Sequence, residues 1–262
     1  MASFTGSSIK NVYKDILHTS NSNTGISSTI KQITCGDGDT TALHLSDRNL
    51  KVQPSTDTTT NTVIYDASGN ALLAVDSTND LVKAGIGQHT VNTQYAHFGL
   101  AAGNIHYNMV ANNHYAIPFT AGGYHQNIYS MGTGANPDLS HTISTQADDV
   151  VGTFWYVMDN ITIDRVIWWS GADAASGDTT RCHLMSYSID SGNGSTSGDF
   201  SSGAVLADGG DVTNAGYEQA YYQQMTVQSA NVDAGKVIMF MFRSDSINSD
   251  YSINATIKYH LR

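Results

Sequence analysis

The stretch from Ala71 to Leu100, ALLAVDSTNDLVKAGIGQHTVNTQYAHFGL, sets short apolar runs between tight turns and holds too little apolar surface to bury a core by itself. Leu72, Leu73, Val75, Leu81, Val82 and Ile86 are separated by Asp76-Ser77-Thr78-Asn79-Asp80, by Gly85 and by Gly87, residue types that make turns. ALHLSDRNLKV, from Ala42 to Val52, repeats the scheme, its Ala-Leu start lying 29 residues before that of Ala71. A unit of this kind acquires a core only by packing on copies of itself, in the same chain or in other subunits.

Composition points the same way. Of the 23 acidic residues only Glu218 is a glutamate. Aspartate favours turns and caps whereas glutamate favours helix interiors, so this balance, with 24 glycines and abundant Ser, Thr and Asn, predicts an all-β protein. A net charge of −11 with only 12 Lys and Arg, scattered singly, offers no basic face for phosphates and argues against nucleic-acid binding. No run approaches the ~18 apolar residues of a membrane span, and MASFTGSSIK lacks the apolar core of a signal peptide. The expectation is a protein made in a cytoplasm, without membrane insertion, with Cys35 and Cys182 as two free, buried thiols.

Ile9, Val12, Tyr13, Ile16 and Leu17 follow the spacing of one helical face after Ser7 or Ser8 as a cap. A helix of about ten residues is marginal alone, so it should dock or bundle. Residues 19 to 62 are polar, with short strand-like pieces such as Ile30 to Ile33 and Leu43 to Leu45. Character changes around Tyr107 to Ile117, which places a domain boundary near residue 112. Strands are expected at 115–120, 142–145, 150–158, 161–169, 181–189, 204–207, 220–227, 236–243 and 251–261.

The last of these is the clearest. Tyr251, Ile253, Ala255, Ile257, Tyr259 and Leu261 alternate with Ser252, Asn254, Thr256, Lys258, His260 and Arg262, the pattern of a strand buried on one face. Val237-Ile238-Met239-Phe240-Met241-Phe242 is apolar on both faces, which suits a central strand covered by the sandwich on one side and by a neighbouring subunit on the other. Val237, Met239, Phe240, Phe242, Tyr251, Ile253, Ile257 and Tyr259 are therefore the candidate trimer or core residues. Nine strands with turn-rich links of irregular length predict a jelly roll, and SGNGSTSGDFSSG, from Ser191 to Gly203, reads as an exposed loop.

NSNTG followed by an Asp/Gly turn and A-L-x-L-S, then VDSTNDLVK and TQYAHFGL, resembles the N-terminal and shaft regions of virion structural proteins of marine tailed bacteriophages. The resemblance covers roughly residues 9 to 100, and the second half is similar by strand pattern to those proteins' jelly-roll heads. It implies a trimeric, fibre-like or capsid-decorating component of the virion, with residues 1–18 as an anchor helix to capsid or tail proteins, 19–112 as a β shaft and linker, and 113–262 as a jelly-roll head that aids host adsorption.

Signatures of enzymes are missing. There is no G-x-S-x-G, G-x-G-x-x-G, Walker lysine motif or C-x-x-C. Glycan hydrolysis would need two carboxylates held at a sugar bond, and a small depolymerase stays the least favoured alternative. Cys35-Gly36-Asp37-Gly38-Asp39-Thr40 is a fragment of a calcium loop without its third acid or terminal glutamate, and reads better as a turn. His97 and His106 could hold an ion only if repeated about a trimer axis; hydrogen-bonded or exposed histidine is the plainer reading. Trp155, Trp168, Trp169, Tyr221 and Tyr222 suit either a sugar-stacking surface or, since they lie within strand patterns, core and subunit interface. The expectation is no catalytic residue, no metal and no cofactor. The partners expected are further copies of the chain, virion proteins and, in the alternative of a lectin-like receptor-binding tail fibre, a host surface glycan.

Overall fold

The computed structural model describes residues 16–19, 25–87, 89–100, 109–119, 128–145, 147–172, 176–216, 218–246 and 251–262. The expected anchor helix over Ile9, Val12, Tyr13, Ile16 and Leu17 lies outside them, save for Ile16 and the exposed Leu17, which are not helical. The described chain is antiparallel β structure in two compact units divided between Val91 and Asn92.

In the first unit β1 (His18–Thr19), β2 (Lys31–Thr34), β3 (Thr40–Leu45) and β4 (Leu50–Val52) make one four-stranded meander. A second meander contains β5 (Thr62–Tyr65), β6 (Ala71–Asp76), β7 (Leu81–Ala84) and β8 (His89–Thr90). The repeat is 31 residues long: β2, β3 and β4 begin at Lys31, Thr40 and Leu50, and β5, β6 and β7 at Thr62, Ala71 and Leu81. Even the turns superpose. Cys35 N–H donates to the Asp39 carbonyl (2.9 Å) and Gly38 N–H to that of Cys35 (3.0 Å); Asp66 donates to Asn70 (2.9 Å) and Gly69 to Asp66 (3.1 Å). Gly38 and Gly69 hold φ of 89° and 83°, a region that penalises any side chain. The 29-residue sequence offset and the 31-residue structural one differ by two, which leaves side chains on the same face of a strand.

The second unit holds β9 (Thr93–Leu100), β10 (Tyr115–Ile117), β11 (Tyr129–Ser130), α1 (Ala147–Val151), β12 (Phe154–Tyr156), β13 (Ile161–Ala172), β14 (Thr179–Ile189) and β15 (Phe200–Thr213). It continues with β16 (Gln219–Gln224), β17 (Thr226–Val227), β18 (Asn231–Val232), β19 (Lys236–Ser244) and β20 (Tyr251–Leu261). One sheet runs β16-β13-β20-β9, with β18 on β13; the other runs β11-β10-β19-β14-β15-β17, with β12 beside β10 along β19. Four nested antiparallel pairs organise both: β9 with β20, β10 with β19, β13 with β16, and β14 with β15. Successive pairs alternate between the sheets, and β13–β20 and β14–β19 contacts stitch each sheet together.

Between the sheets Phe98, Trp168, Leu184, Phe240, Phe242, Tyr251 and Ile257 form a buried core. Phe98 stacks on Phe240 with ring centroids 6.1 Å apart, and the Phe242 ring lies tilted against that of Tyr251 at 4.9 Å. The other face of β19, with Val237, Met239 and Met241, is buried too. Its cover comes from the same chain: Tyr129, Met131, Val150 and Phe200 pack there, with Phe154 beside them. The neighbouring subunit expected on that face is therefore replaced by an intrachain layer. Val237, Met239, Phe240, Phe242, Tyr251, Ile253, Ile257 and Tyr259 are all core of the single chain.

Four further expectations are corrected. The boundary near residue 112 falls at 91/92 by contact, because β9 completes the β20 sheet through pairs from Ile253–Leu100 to His260–Thr93. A strand from Val150 gives way to α1, with Asp148 and Asp149 in its first turn, where acids suit the helix dipole, and Thr153 closing back on the Val150 carbonyl at 2.7 Å. No strand forms at 142–145: a single bridge joins His141 to Phe200, and the Asp199 carboxylate takes the Ile143 N–H at 2.8 Å. The Ser191 to Gly203 loop ends earlier, since β15 already begins at Phe200.

Candidate functional site

The β16-β13-β20-β9 sheet turns one face to the core and leaves the other open. Alternation along β13 decides which tryptophan goes where: Trp168 is fully buried, its Nε1–H donating to Gln223 Oε1 at 3.2 Å, while Trp169 points outward and is 46% exposed. Trp169 sits opposite Tyr222 of β16 and Asn254 of β20. Its ring lies 5.2 Å from that of Tyr222, itself 45% exposed, and Arg165 Nη2 donates to the Tyr222 hydroxyl at 3.2 Å. Across the bulge at Ile163/Arg165, Arg165 pairs with Lys258, which pairs in turn with the 60% exposed Tyr95 of β9. His97 faces Thr256 in a 3.2 Å hydrogen bond, and Asp164 meets His260 at 2.9 Å. The face thus carries three exposed aromatic rings around two adjacent cations.

The aromatic candidates therefore separate. Trp168 is core; Trp169 and Tyr222 are surface. Tyr221 serves its own loop, its hydroxyl accepting from Gly216 N–H at 2.9 Å. Trp155 lies 4.7 Å from the Tyr259 ring and parallel to Phe119, at the wall of a cavity of about 220 Å³ that also takes in Gln94, Tyr156, Met158 and Asp159. Tyr259 donates to Gln94 Oε1 at 2.9 Å.

A second, more polar cavity of about 290 Å³ is lined by Tyr129, Ser130, Asp138, His141, Thr142 and Ser144. Tyr129 hydroxyl bonds the His141 ring, and burial pushes the tyrosine's pKa up. The Asp138 carboxylate lies over Gly132, within 2.5 Å of where a Cβ would stand, and Gly132 has φ of 90°, so only glycine fits.

A buried histidine pair stands on the covered face of the other sheet. His183 is inaccessible, both ring nitrogens lacking a partner, and its ring packs edge-on against His114 at 5.0 Å. Asp208 Oδ1 is 3.7 Å from His183 Nε2, and Arg181 clamps the same carboxylate at 2.5 and 3.1 Å. Burial lowers the His183 pKa to about 4, against the pull of Asp208 and with the help of His114, Arg181 and Arg243. Burial opposes charge on Asp208 as well, yet the Arg181 bonds and the Gly210 N–H keep that carboxylate below its ordinary range. Sequence reading passed over this pair because His114 and His183 are far apart in the chain. The Trp168-Trp169 doublet, by contrast, carried its signal in strand alternation.

Cys35 to Asp39 is the β2–β3 turn, and among the described residues no three His, Cys, Asp or Glu side chains are grouped to hold a metal. Cys35 and Cys182 are free thiols; Cys182 is buried, which raises its pKa, and Cys35 is half-buried. His106 lies outside the described residues. No protein-family model matches the chain, and no curated protein matches it.

Proposed function

We propose that this chain is a non-enzymatic structural component of a tailed-phage virion, a homotrimeric fibre-like or capsid-decorating protein with a β shaft and a jelly-roll head. One observation carries the reading. In the tandem 31-residue meanders Leu50, Ile64, Tyr65 and Ile86 are 66, 53, 58 and 72% exposed, whereas Ile33 and Ala74 are the buried apolar residues among those described. A chain that repeats such a unit gains most by laying it against further copies. The nested pairing of β9–β20, β10–β19, β13–β16 and β14–β15 supports a jelly roll, because wrapping one long antiparallel ribbon places its successive pairs in alternate sheets. The test is mass by sedimentation with imaging of the full chain: three chains in an elongated particle are expected, and a folded monomer at micromolar concentration overturns the reading.

A second reading, a receptor-binding fibre with glycan recognition, rests on the Trp155–Tyr259 cavity, where aromatic walls stand beside Gln94 and Asp159. Screening immobilised glycans tests it. Binding that Trp155→Ala abolishes would favour it; silence across neutral and acidic glycans would remove it.

A further inference from the structure

We propose that the open face of the β16-β13-β20-β9 sheet is the surface on which the second units of neighbouring copies of this chain pack, head to tail in a ring. The inference rests on the oligomeric reading above and assigns it a surface different from the meanders. Four observations carry it.

First, among the described residues this sheet face is left exposed, whereas the outer face of the β19 sheet is already roofed by Tyr129, Met131, Val150 and Phe200. Second, its composition is that of an interface centre. Trp, Tyr and Arg dominate binding hot spots, and here Trp169, Tyr222, Tyr95 and Arg165 stand together around the half-buried Ile167. Third, the size fits. The four strands comprise 37 residues, which at ~3.3 Å per residue and ~4.8 Å between strands cover roughly 600 Å², close to the ~800 Å² that each partner of a standard interface buries.

Fourth, charge selects both the partner and the symmetry. Residues 92–262 carry 15 acidic and 6 basic residues. Arg181, Arg243 and Arg262 are engaged with Asp208, Asp211 and Asp233. Arg165 and Lys258 instead lie side by side on the open face, whose one acid among the described residues, Asp164, is bound to His260. The face is thus a positive island on an acidic body. Two such faces pressed together would oppose like charges, whereas contact with the acidic flank of a neighbour pairs opposite ones. That is a heterologous contact, which excludes a twofold dimer and, where the rotation between copies closes as in the trimer proposed above, makes a ring.

The test is hydroxyl-radical footprinting of the full chain at micromolar concentration, with mass measured in parallel. Trp168, fully buried, and Met158, 82% exposed, are the internal standards. The expected result is an oligomer in which Trp169, Tyr222 and Tyr95 react at least fivefold more slowly than their exposure in one chain predicts, Trp169 approaching Trp168. The double variant Arg165→Glu/Lys258→Glu should restore their reactivity with an unchanged circular dichroism spectrum. An oligomer in which Trp169 reacts freely, or protection that survives the charge reversal, overturns the proposal and leaves the oligomeric reading standing. A monomer overturns both. Protection that arises only on adding alginate, an acidic polysaccharide, overturns self-packing and gives the face to a glycan.

Discussion

The two units use similar residue types and reach opposite outcomes. In the meanders no strand exceeds six residues, and Leu50, Ile64 and Ile86 remain more than half exposed. In the sandwich the strands reach 14 residues, and Trp168, Phe240 and Tyr251 lose all contact with solvent. The difference lies less in hydrophobicity than in topology. A ribbon folded into nested pairs lays its own second sheet over the first, whereas the two short meanders leave Leu50, Ile64, Tyr65 and Ile86 largely exposed. Closure of the core within one chain is thus a property of the second unit, and it is the first that the proposed assembly would complete.

The largest effect should come from breaking closure. Deleting residues 251–262 removes β20, the central strand that pairs with both β9 and β13. Tyr251, Ile253, Ile257 and Tyr259 are all buried, and at ~1.5–3 kcal/mol for each large side chain the loss matches the ~5–15 kcal/mol that holds a typical domain. The truncated chain should be insoluble or lack a cooperative thermal transition. A soluble truncation with the parent's midpoint would show that the sandwich does not depend on its last strand.

The next effect should fall on assembly alone. Leu50→Asp with Val82→Asp places two charges on apolar surface that one chain leaves exposed, at 66 and 38%. On the proposed assembly the sandwich should keep its thermal midpoint while the particle mass falls. Unchanged mass would mean that these side chains face solvent in the assembly.

Much of this architecture was legible in the sequence, and the failures have physical causes. β20 follows from strict alternation, which needs no partner to be read, whereas the repeat reads as an offset of 29 residues in the apolar runs and as 31 only in the strand starts. The double-faced run Val237 to Phe242 was legible as buried but not by what: apolar residues register that both faces are covered, and the covering layer is built largely from short elements and loops, and its Tyr129, Met131, Val150 and Phe200 carry no common period. Strand β9 ran on from shaft-like sequence, and only its pairing with β20 places it in the sandwich. The aromatic face was half legible. Trp169 and Tyr222 could be picked out, whereas Tyr95, Arg165 and Lys258 join them only through register.

A smaller effect should appear with pH in the sandwich. His183 is held neutral, with a pKa near 4 in the fold and ~6.5 when unfolded. Between those values the unfolded chain binds a proton that the folded one refuses, so stability falls as pH drops from 6.5 towards 4, by at most about 3 kcal/mol. The groups facing it are His114, Asp208, Arg181 and Arg243. His183→Met, which matches the neighbouring Met185 and Met241 in chemistry, should flatten the pH dependence of the denaturation midpoint in this window. An equal slope in both proteins would place the titration elsewhere.

The smallest effect belongs to the meanders and marks a polar anchor that a single chain completes for itself. The Asp76 side chain is inaccessible to solvent and lies 2.8 Å from Lys83 Nζ across the β6–β7 hairpin. Hydrogen bonds from Lys83, then from the Asn79 side chain and N–H, hold its pKa down to about 2. Because the folded value lies below the ordinary ~3.9, the contribution is present above that pH and is lost as pH falls towards 2. Lys83→Met removes the first of these donors, so the Asp76 carboxyl should titrate at a higher pH by NMR, and the Asn79 amide should exchange faster at neutral pH. Since the apolar sides of the same hairpin remain exposed in one chain, the change should be confined to this turn and leave the midpoint of the sandwich unmoved. A carboxyl that still titrates near 2 in the variant would assign its depression to Asn79 and the turn backbone instead of to the lysine.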